Sequence, residues 1–206
     1  MRDKYGVAND KYCYPNSDVL INVLDIRDQY LFDQAETEFT AERYRTYAPT
    51  NLTIFDFSFE HLKSLHHHLF QDLYDWAGQT RDVDISKGNT RFCTWKRIEP
   101  EAQKLFKAIP ALAECHNNDD LTEQVADLFC ELNLLHPFRE GNGRVLRFFF
   151  EEMLYTIGYD VTWPKISQQD WIDANIAGVN LNLDLLKVIF TQAISKFEAR
   201  AKKLIN

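Results

Sequence analysis

Apolar residues recur every three to four positions through most of this chain, and this spacing constrains the fold more than any other sequence feature. Such spacing places them on one face of an α-helix. Ser58 is a favourable helix cap, and Gly78 is a favourable residue just after a helix end. The sequence therefore predicts a mainly α fold, a compact helical bundle. The predicted helices span about residues 17–21, 28–47, 58–76, 99 onward, 120–135, 142–157, 167–177 and 183–201.

The helical spacing is broken once, in residues 80–97, which read TRDVDISKGNTRFCTWKR. Val83 and Ile85 alternate with aspartates, which is typical of a β-strand. Residues 86–89 are turn-forming, and strand-prone residues follow. A two-stranded hairpin is marginally stable by itself, so it must pack on something. We therefore expect one β-hairpin that forms a flap over a functional site.

Composition limits the classes of function. The chain has 206 residues, with 23 Lys and Arg against 31 Asp and Glu, a net charge of −8. Proteins that wrap a phosphate backbone are usually basic, so no nucleic-acid partner is expected. The polar N-terminus lacks the apolar run of a signal peptide, and no apolar stretch is long enough to span a membrane. The four cysteines lack metal-ligand spacing, and free thiols suit a reducing compartment. We expect a cytoplasmic protein with no membrane association.

Consecutive histidines at His66, His67 and His68 could suggest a metal site. Residues one and two apart on a helix do not face each other, so these side chains cannot converge on one ion. We expect them, together with His61, to form part of a solvated or groove-facing helix surface.

A short glycine-containing segment, HPFREGNGRVLR at residues 136–147, carries the strongest chemical signal. Gly141 and Gly143 allow a tight turn with exposed N–H groups at the start of a helix. A helix N-terminus adds unpaired donors and partial positive charge, which favours phosphate binding. Arg144 and Arg147 are three residues apart, so both project from one side of the first helical turns. Two guanidinium groups beside such a loop suit a polyphosphate.

Two further residues of this segment supply catalytic chemistry. Glu140 provides a carboxylate beside the phosphate cradle, and one carboxylate plus substrate phosphates is the usual way to hold Mg²⁺. His136 has an ordinary pKa of about 6.5 and is a natural general base near neutral pH. A base, a metal ligand and a phosphate cradle are the parts needed for phosphoryl or nucleotidyl transfer.

The segment resembles the signature of the Fic family, H-x-F-x-[DE]-G-N-G-R-x-x-R, at every specified position. Residues 73–93, LYDWAGQTRDVDISKGNTRFC, are similar to the family's helix end and target-binding flap. The resemblance covers most of the chain. It implies a single Fic domain over residues 1–206, with a core at about 55–160 and flanking N- and C-terminal helices.

The resemblance implies a protein adenylyltransferase. His136 would deprotonate a Ser, Thr or Tyr hydroxyl of a target protein, and that oxygen would attack the α-phosphate of ATP. Glu140 would hold Mg²⁺, Asn142 would lie near the α-phosphate, and Phe138 would anchor the loop in the core. The implied nucleotide- and phosphate-binding residues are Arg139, Gly141, Asn142, Gly143, Arg144 and Arg147.

By the same resemblance, the hairpin would bind the backbone of the target protein by strand addition, which positions a hydroxyl with little demand on sequence. The candidate contacts to target or nucleotide are Ile85, Lys87, Gly88, Thr90 and Phe92.

Many members of the family carry an inhibitory helix with the pattern [ST]-x-x-x-E-[GN]. No glutamate of this chain has Ser or Thr four residues before it. The resemblance therefore implies a toxin whose inhibitory Glu is supplied in trans by a small antitoxin. Three alternatives stay open: transfer of phosphate, UMP or phosphocholine on the same scaffold, a secreted effector, and a binding module without activity. Doc-type kinases carry Lys in place of Gly143, so the glycine here favours AMP transfer.

Overall fold

A computed structural model of the chain describes residues 10–49, 51–115 and 117–197. Seven α-helices and four short strands form within these residues, and none of the helices is long and apolar enough to cross a membrane. The helices are α1 Gln29–Arg45, α2 Phe59–Phe70, α3 Ile98–Phe106, α4 Asn118–Leu135, α5 Asn142–Thr156, α6 Gln168–Val179 and α7 Asp184–Ala193. The strands are β1 Ser86–Lys87, β2 Thr90–Arg91, β3 Tyr159–Val161 and β4 Ile194–Lys196.

The mainly α prediction is confirmed, and most predicted helices form near their expected bounds. Ser58 caps α2, as predicted, by accepting a hydrogen bond from the His61 N–H. α2 nevertheless ends at Phe70 rather than near residue 76. The start of α4 also differs, because Asn117 caps the helix by accepting from the Asp120 N–H at 2.8 Å.

Two predicted helical segments have other structures. Residues 17–21 form no helix, because Asn16 takes a positive φ of 59° and Cys13 pairs with Leu20 in an antiparallel bridge. The last helix ends at Ala193 because Ile194–Lys196 pairs with β3 as strand β4. Here tertiary pairing overrides local helix propensity. The remainder of that predicted helix, residues 198–201, lies outside the described residues.

The predicted hairpin forms but is shorter than expected. Ser86 pairs with Arg91 and Lys87 pairs with Thr90. The turn passes through Gly88 at a φ of +57°, which glycine adopts without strain. Ile85 and Phe92 form a small apolar cluster beneath the hairpin, and this cluster is separate from the main core.

α4 and α5 form the centre of the bundle and carry the site between them. Aromatic rings from α4, α5 and α7 pack edge to face, including Phe129 against Phe150 and Phe190 with centroids 5.2 Å apart. Such pairs stabilise a core beyond their buried area. The rigid core thereby fixes the end of α4 and the start of α5, which flank residues 136–141.

Candidate active site

A cavity of about 560 Å³ lies between the hairpin, the 136–141 loop and α6. Each region contributes different chemistry: polar and aromatic residues come from the hairpin, the motif residues from the loop and α5, and two tryptophans and one asparagine from residues 163–179. The residues that line the cavity include Lys87, Thr90, Phe92, Asn133, His136, Glu140, Gly141, Asn142, Gly143, Arg144, Arg147, Trp163, Trp171 and Asn175.

His136 lies at the C-terminal cap of α4 in a left-handed conformation, with φ at 43°. Its ring nitrogen Nδ1 is 3.0 Å from the Asn133 carbonyl oxygen. A carbonyl can only accept, so Nδ1 carries the proton and the lone pair is on Nε2. The Phe92 ring stacks on the imidazole with centroids 3.8 Å apart. Burial lowers the pKa of His136 to about 3, so the ring is neutral at physiological pH.

The loop after His136 is fixed by a second buried histidine. His66 is fully buried and accepts from the Gly78 N–H at Nδ1, 2.9 Å away. Its Nε2–H therefore donates to the Glu140 carbonyl at 3.0 Å. The ring also stacks on Phe138 at 3.9 Å, which agrees with the anchoring role predicted for that phenylalanine. The expectation of a solvated or groove-facing surface is wrong for His66, because its polar partners lie inside the protein.

Both polar atoms of the Asn142 side chain form hydrogen bonds with the backbone of the loop. Its amide nitrogen donates to the Phe138 carbonyl at 2.8 Å, and its amide oxygen accepts from the Phe138 N–H at 2.9 Å. This pair of bonds closes the loop around the first residue of α5. A contact from Asn142 to a phosphate would thus come from its backbone N–H, because the side-chain amide is engaged.

The two glycines of the loop have different structural roles. Gly141 caps α5 with φ at +79°, and a Cβ there would lie 2.3 Å from the Phe70 ring. Gly143 has a helical conformation, and its Cβ would meet only an Arg147 guanidinium nitrogen at 3.9 Å. Gly141 is therefore required by the fold, whereas Gly143 leaves open space beside the cavity.

Glu140 is a buried carboxylate at the edge of the cavity. Its Oε1 accepts from the Gly141 N–H at 2.9 Å and lies 3.8 Å from the Arg144 guanidinium. No cluster of three or more potential metal-ligating side chains occurs within residues 10–49, 51–115 and 117–197. A single carboxylate fits Mg²⁺ binding that is completed by phosphate oxygens and water.

The two motif arginines have different surroundings. Arg144 pairs with Glu36 of α1 at 2.9 Å and lies over the Phe70 ring. Arg147 lies over the Trp171 ring at 5.6 Å, and it has no carboxylate partner in the part of the chain that the structure describes. Burial and the nearby Arg144 lower the pKa of Arg147. This arrangement leaves positive charge beside the cavity and favours an anionic ligand.

The structure does not bring Arg139 into the cavity, contrary to the sequence prediction. Its side chain is 2% exposed and forms an ion pair with Asp10 of the N-terminal segment, 2.6 Å from Nε to Oδ2. The Ile85 prediction also needs correction, because this side chain is buried against Phe92. Gly88 lies at the hairpin tip and does not line the cavity, whereas Lys87, Thr90 and Phe92 do.

Sequence reasoning missed Arg81, which joins the loop to the base of the hairpin. Its guanidinium is buried and donates to the carbonyls of His136 at 2.8 Å, Val83 at 2.7 Å and Cys93 at 2.5 Å. Its backbone N–H donates to the Pro137 carbonyl at 2.8 Å. The arginine stands where helical spacing gives way to strand spacing, but that pattern does not show which carbonyls it binds.

Comparison with known proteins agrees with this geometry. The profile of the Fic/DOC family matches residues 56–154. The chain is 37% identical over 198 residues to the probable protein adenylyltransferase Fic of Escherichia coli K12, covering 95% of this chain and 98% of that protein. It is 33% identical to the protein adenylyltransferase VbhT of Bartonella schoenbuchensis, covering 94% of this chain and 41% of that protein. The chain belongs to the Fic/DOC family.

Solved structures show the same fold. A Fic domain from Bartonella quintana with bound ADP superposes with a TM-score of 0.80 at 24% identity, covering 91% of this chain and 95% of that chain. BepC of Bartonella tribocorum, with bound AMPPNP, gives 0.79 at 23% identity and covers 91% and 97%. The curated relatives show that the protein is an enzyme of the transferase class, a protein adenylyltransferase.

Proposed function

We propose that this enzyme transfers AMP from ATP to a Ser, Thr or Tyr hydroxyl of a target protein. The observation that carries the proposal is the neutral His136, with its lone pair on Nε2, in the same cavity as the N-terminus of α5. Two proteins of the same fold hold ADP or AMPPNP, and we extend adenine-nucleotide binding to this chain.

In the proposed reaction, the target hydroxyl enters beside His136 and gives its proton to Nε2. The hydroxyl oxygen forms a bond to the α-phosphorus of ATP while the bond to the bridging oxygen of the β-phosphate breaks. Pyrophosphate leaves, and AMP stays on the target as a phosphodiester. A histidine that is neutral in the free enzyme is ready to accept this proton at physiological pH.

The phosphates would be held by the start of α5 and by the two arginines. The backbone N–H groups of Asn142 and Gly143 lie in the first turn of α5, where the helix N-terminus favours negative charge, whereas the Gly141 N–H donates to Glu140. Arg144 and Arg147 would bind the β- and γ-phosphates. Glu140 would hold Mg²⁺, which when bound supplies charge stabilisation for the departing pyrophosphate.

The hairpin would present the target. The hairpin is a two-stranded sheet of β1 and β2, and an extended target peptide would add to it as a further strand. Lys87 and Thr90 of the hairpin line the cavity. A backbone-held target segment would place its hydroxyl near His136, while recognition of the side-chain sequence would come from elsewhere.

We also propose that the protein is the toxin of a toxin–antitoxin pair. Arg147 has no carboxylate partner in the described residues, and no glutamate of the sequence fits the inhibitory pattern. A small partner protein would supply a Glu to Arg147 and block productive ATP binding. If the purified protein alone is tightly inhibited, the proposal of a separate antitoxin is wrong.

The test of AMP transfer uses purified protein, Mg²⁺ and a cell lysate, with α-labelled and γ-labelled ATP in parallel. We expect protein labelling only from α-labelled ATP, lost in His136→Ala and retained in the matched control His67→Ala, whose side chain is exposed. Labelling only from γ-labelled ATP would identify a kinase and refute the proposal. If neither nucleotide labels protein, UTP, GTP and CDP-choline are the next donors to test.

A further inference from the structure

The N-terminal segment, residues 10–14, lies against the active-site loop although it is distant in sequence. Asp10 forms an ion pair with Arg139, and each of the two side chains is 2% exposed. Arg139 donates to Asp10 Oδ2 through Nε at 2.6 Å and through Nη2 at 2.5 Å. The Asp10 Oδ1 atom accepts from the Tyr12 N–H at 3.0 Å, which fixes the carboxylate on its own backbone.

Arg139 lies within the loop that carries the catalytic groups. It lies between Phe138, which is stacked on His66, and Glu140, the candidate metal ligand. It is three residues after His136 on a loop that contains no regular hydrogen-bonded structure. A shift of the Arg139 side chain would therefore be transmitted to the backbone of Glu140.

The same segment also contacts the base of the hairpin. Lys11 forms an ion pair with Asp82, and the Tyr12 hydroxyl donates to Asp82 Oδ1 at 2.8 Å. The Tyr12 ring packs edge to face against Trp76 at 5.6 Å. Asp82 follows Arg81, which binds the His136 carbonyl. Residues 10–12 thus touch both the loop that carries the base and the chain that leads into the hairpin.

We propose that Asp10 is a positioning residue, which holds the catalytic loop in its active shape through Arg139. This inference rests on the proposed AMP transfer. It assigns Arg139 a role in shaping the loop rather than in binding phosphate. It also makes the N-terminal segment part of the catalytic apparatus, although Asp10 itself lies outside the cavity.

The test compares Asp10→Asn, Arg139→Gln and the double variant in the whole chain, with Asp18→Asn as a matched control at a nearby exposed aspartate outside the segment. Misplacement of catalytic groups by about 1 Å can lower a rate about a hundredfold, so we expect kcat to fall about tenfold or more. The KM for ATP should change less than about threefold, because the phosphate-binding groups of α5 are not moved. Asp18 is exposed, and its variant should keep wild-type kcat.

Non-additivity is the decisive readout. The double variant removes both members of the buried Asp10–Arg139 pair, so it should be more stable than either single variant, while its kcat stays as low as theirs. Asp10→Glu keeps the charge and should recover part of the activity. Hydrogen exchange in the 137–141 region should increase in Asp10→Asn, with no change within α5.

Three results would overturn the proposal. In the first, the losses in kcat of Asp10→Asn and Arg139→Gln multiply in the double variant. In the second, kcat follows thermal stability across all variants, and in the third, hydrogen exchange in the loop is unchanged. Failure of the proposed function has a different signature. If the wild-type protein transfers no AMP, the exchange comparison still decides whether Asp10 holds the loop.

Discussion

Replacing each of the two loop glycines by alanine separates what the fold requires from what the ligand requires. In Gly141→Ala the backbone must keep a φ of +79°, and the new Cβ would lie 2.3 Å from the Phe70 ring. A left-handed conformation costs a non-glycine residue about 1 kcal/mol or more, and overpacking a core costs about 1–3 kcal/mol. We expect a loss of about 2–4 kcal/mol of folding free energy, or about 5–15 °C in Tm for a chain of this size.

Gly143→Ala should have the opposite effect on stability. Its backbone is helical, and the new Cβ would meet nothing closer than 3.9 Å. Alanine is favoured over glycine within a helix by up to about 1 kcal/mol, so Tm should be unchanged or rise by a few degrees. The methyl group would nevertheless occupy the phosphate cradle, and kcat/KM for AMP transfer should fall about tenfold or more.

Thermal unfolding followed by circular dichroism, together with the α-labelled ATP assay, measures both quantities. Gly158→Ala is the control, because it has a φ of +92° with no atom within 4 Å of the added Cβ and lies outside the cavity. It should show only the backbone cost of about 1 kcal/mol. Equal Tm values for Gly141→Ala and Gly158→Ala would refute the Phe70 argument. Full activity of Gly143→Ala would refute the phosphate cradle.

Three other measurements follow from the site. Burial lowers the pKa values of His66 and His136 to about 3 in the folded protein. In the unfolded chain both histidines take up a proton as pH falls below about 6.5, so the free energy of unfolding decreases by about 2 kcal/mol per histidine at pH 5. Urea unfolding at pH 7 and pH 5 should show this loss of stability, and the loss should be smaller in His136→Ala. Equal losses in the two proteins would contradict the lowered pKa of His136. Arg81→Gln should cost about 3–5 kcal/mol in thermal unfolding because buried carbonyls lose their donors, and a cost below about 1 kcal/mol would contradict that account. Glu36→Gln removes a negative charge 2.9 Å from Arg144, and should tighten binding of an ATP analogue about threefold or more in calorimetry at low salt; unchanged or weaker binding would count against the expected phosphate contact.

Local patterns predicted the elements that depend on local interactions. The Ser58 cap, the end of α4 at Leu135 and the start of α5 at Asn142 all follow from capping and turn chemistry. The motif residues that line the cavity lie within twelve positions of one another, so one loop and one helical turn bring them together. Such short-range geometry can be inferred from spacing alone.

The partners of buried polar groups could not be predicted in this way. The Asp10–Arg139 pair joins residues 129 positions apart, and no periodicity connects them. Helical spacing from Leu62 and Leu69 places His66 on the buried face of α2, but it does not show that the ring binds the Gly78 N–H and the Glu140 carbonyl. Ile85 alternates as a strand residue should, but the alternation does not show that its apolar side chain packs under the hairpin.

Arg81 binds the chain on both sides of the hairpin and so fixes the base from which the hairpin extends. The guanidinium binds the carbonyl of Val83 before the tip and that of Cys93 after it, while its Nε donates to the His136 carbonyl. Residues 86–91 form the two strands and the turn beyond this fixed base. If the hairpin holds the target by backbone pairing, as proposed, another sequence between Ile85 and Phe92 would leave the arrangement around His136 unchanged. The flap sequence and the catalytic loop could then change independently of each other.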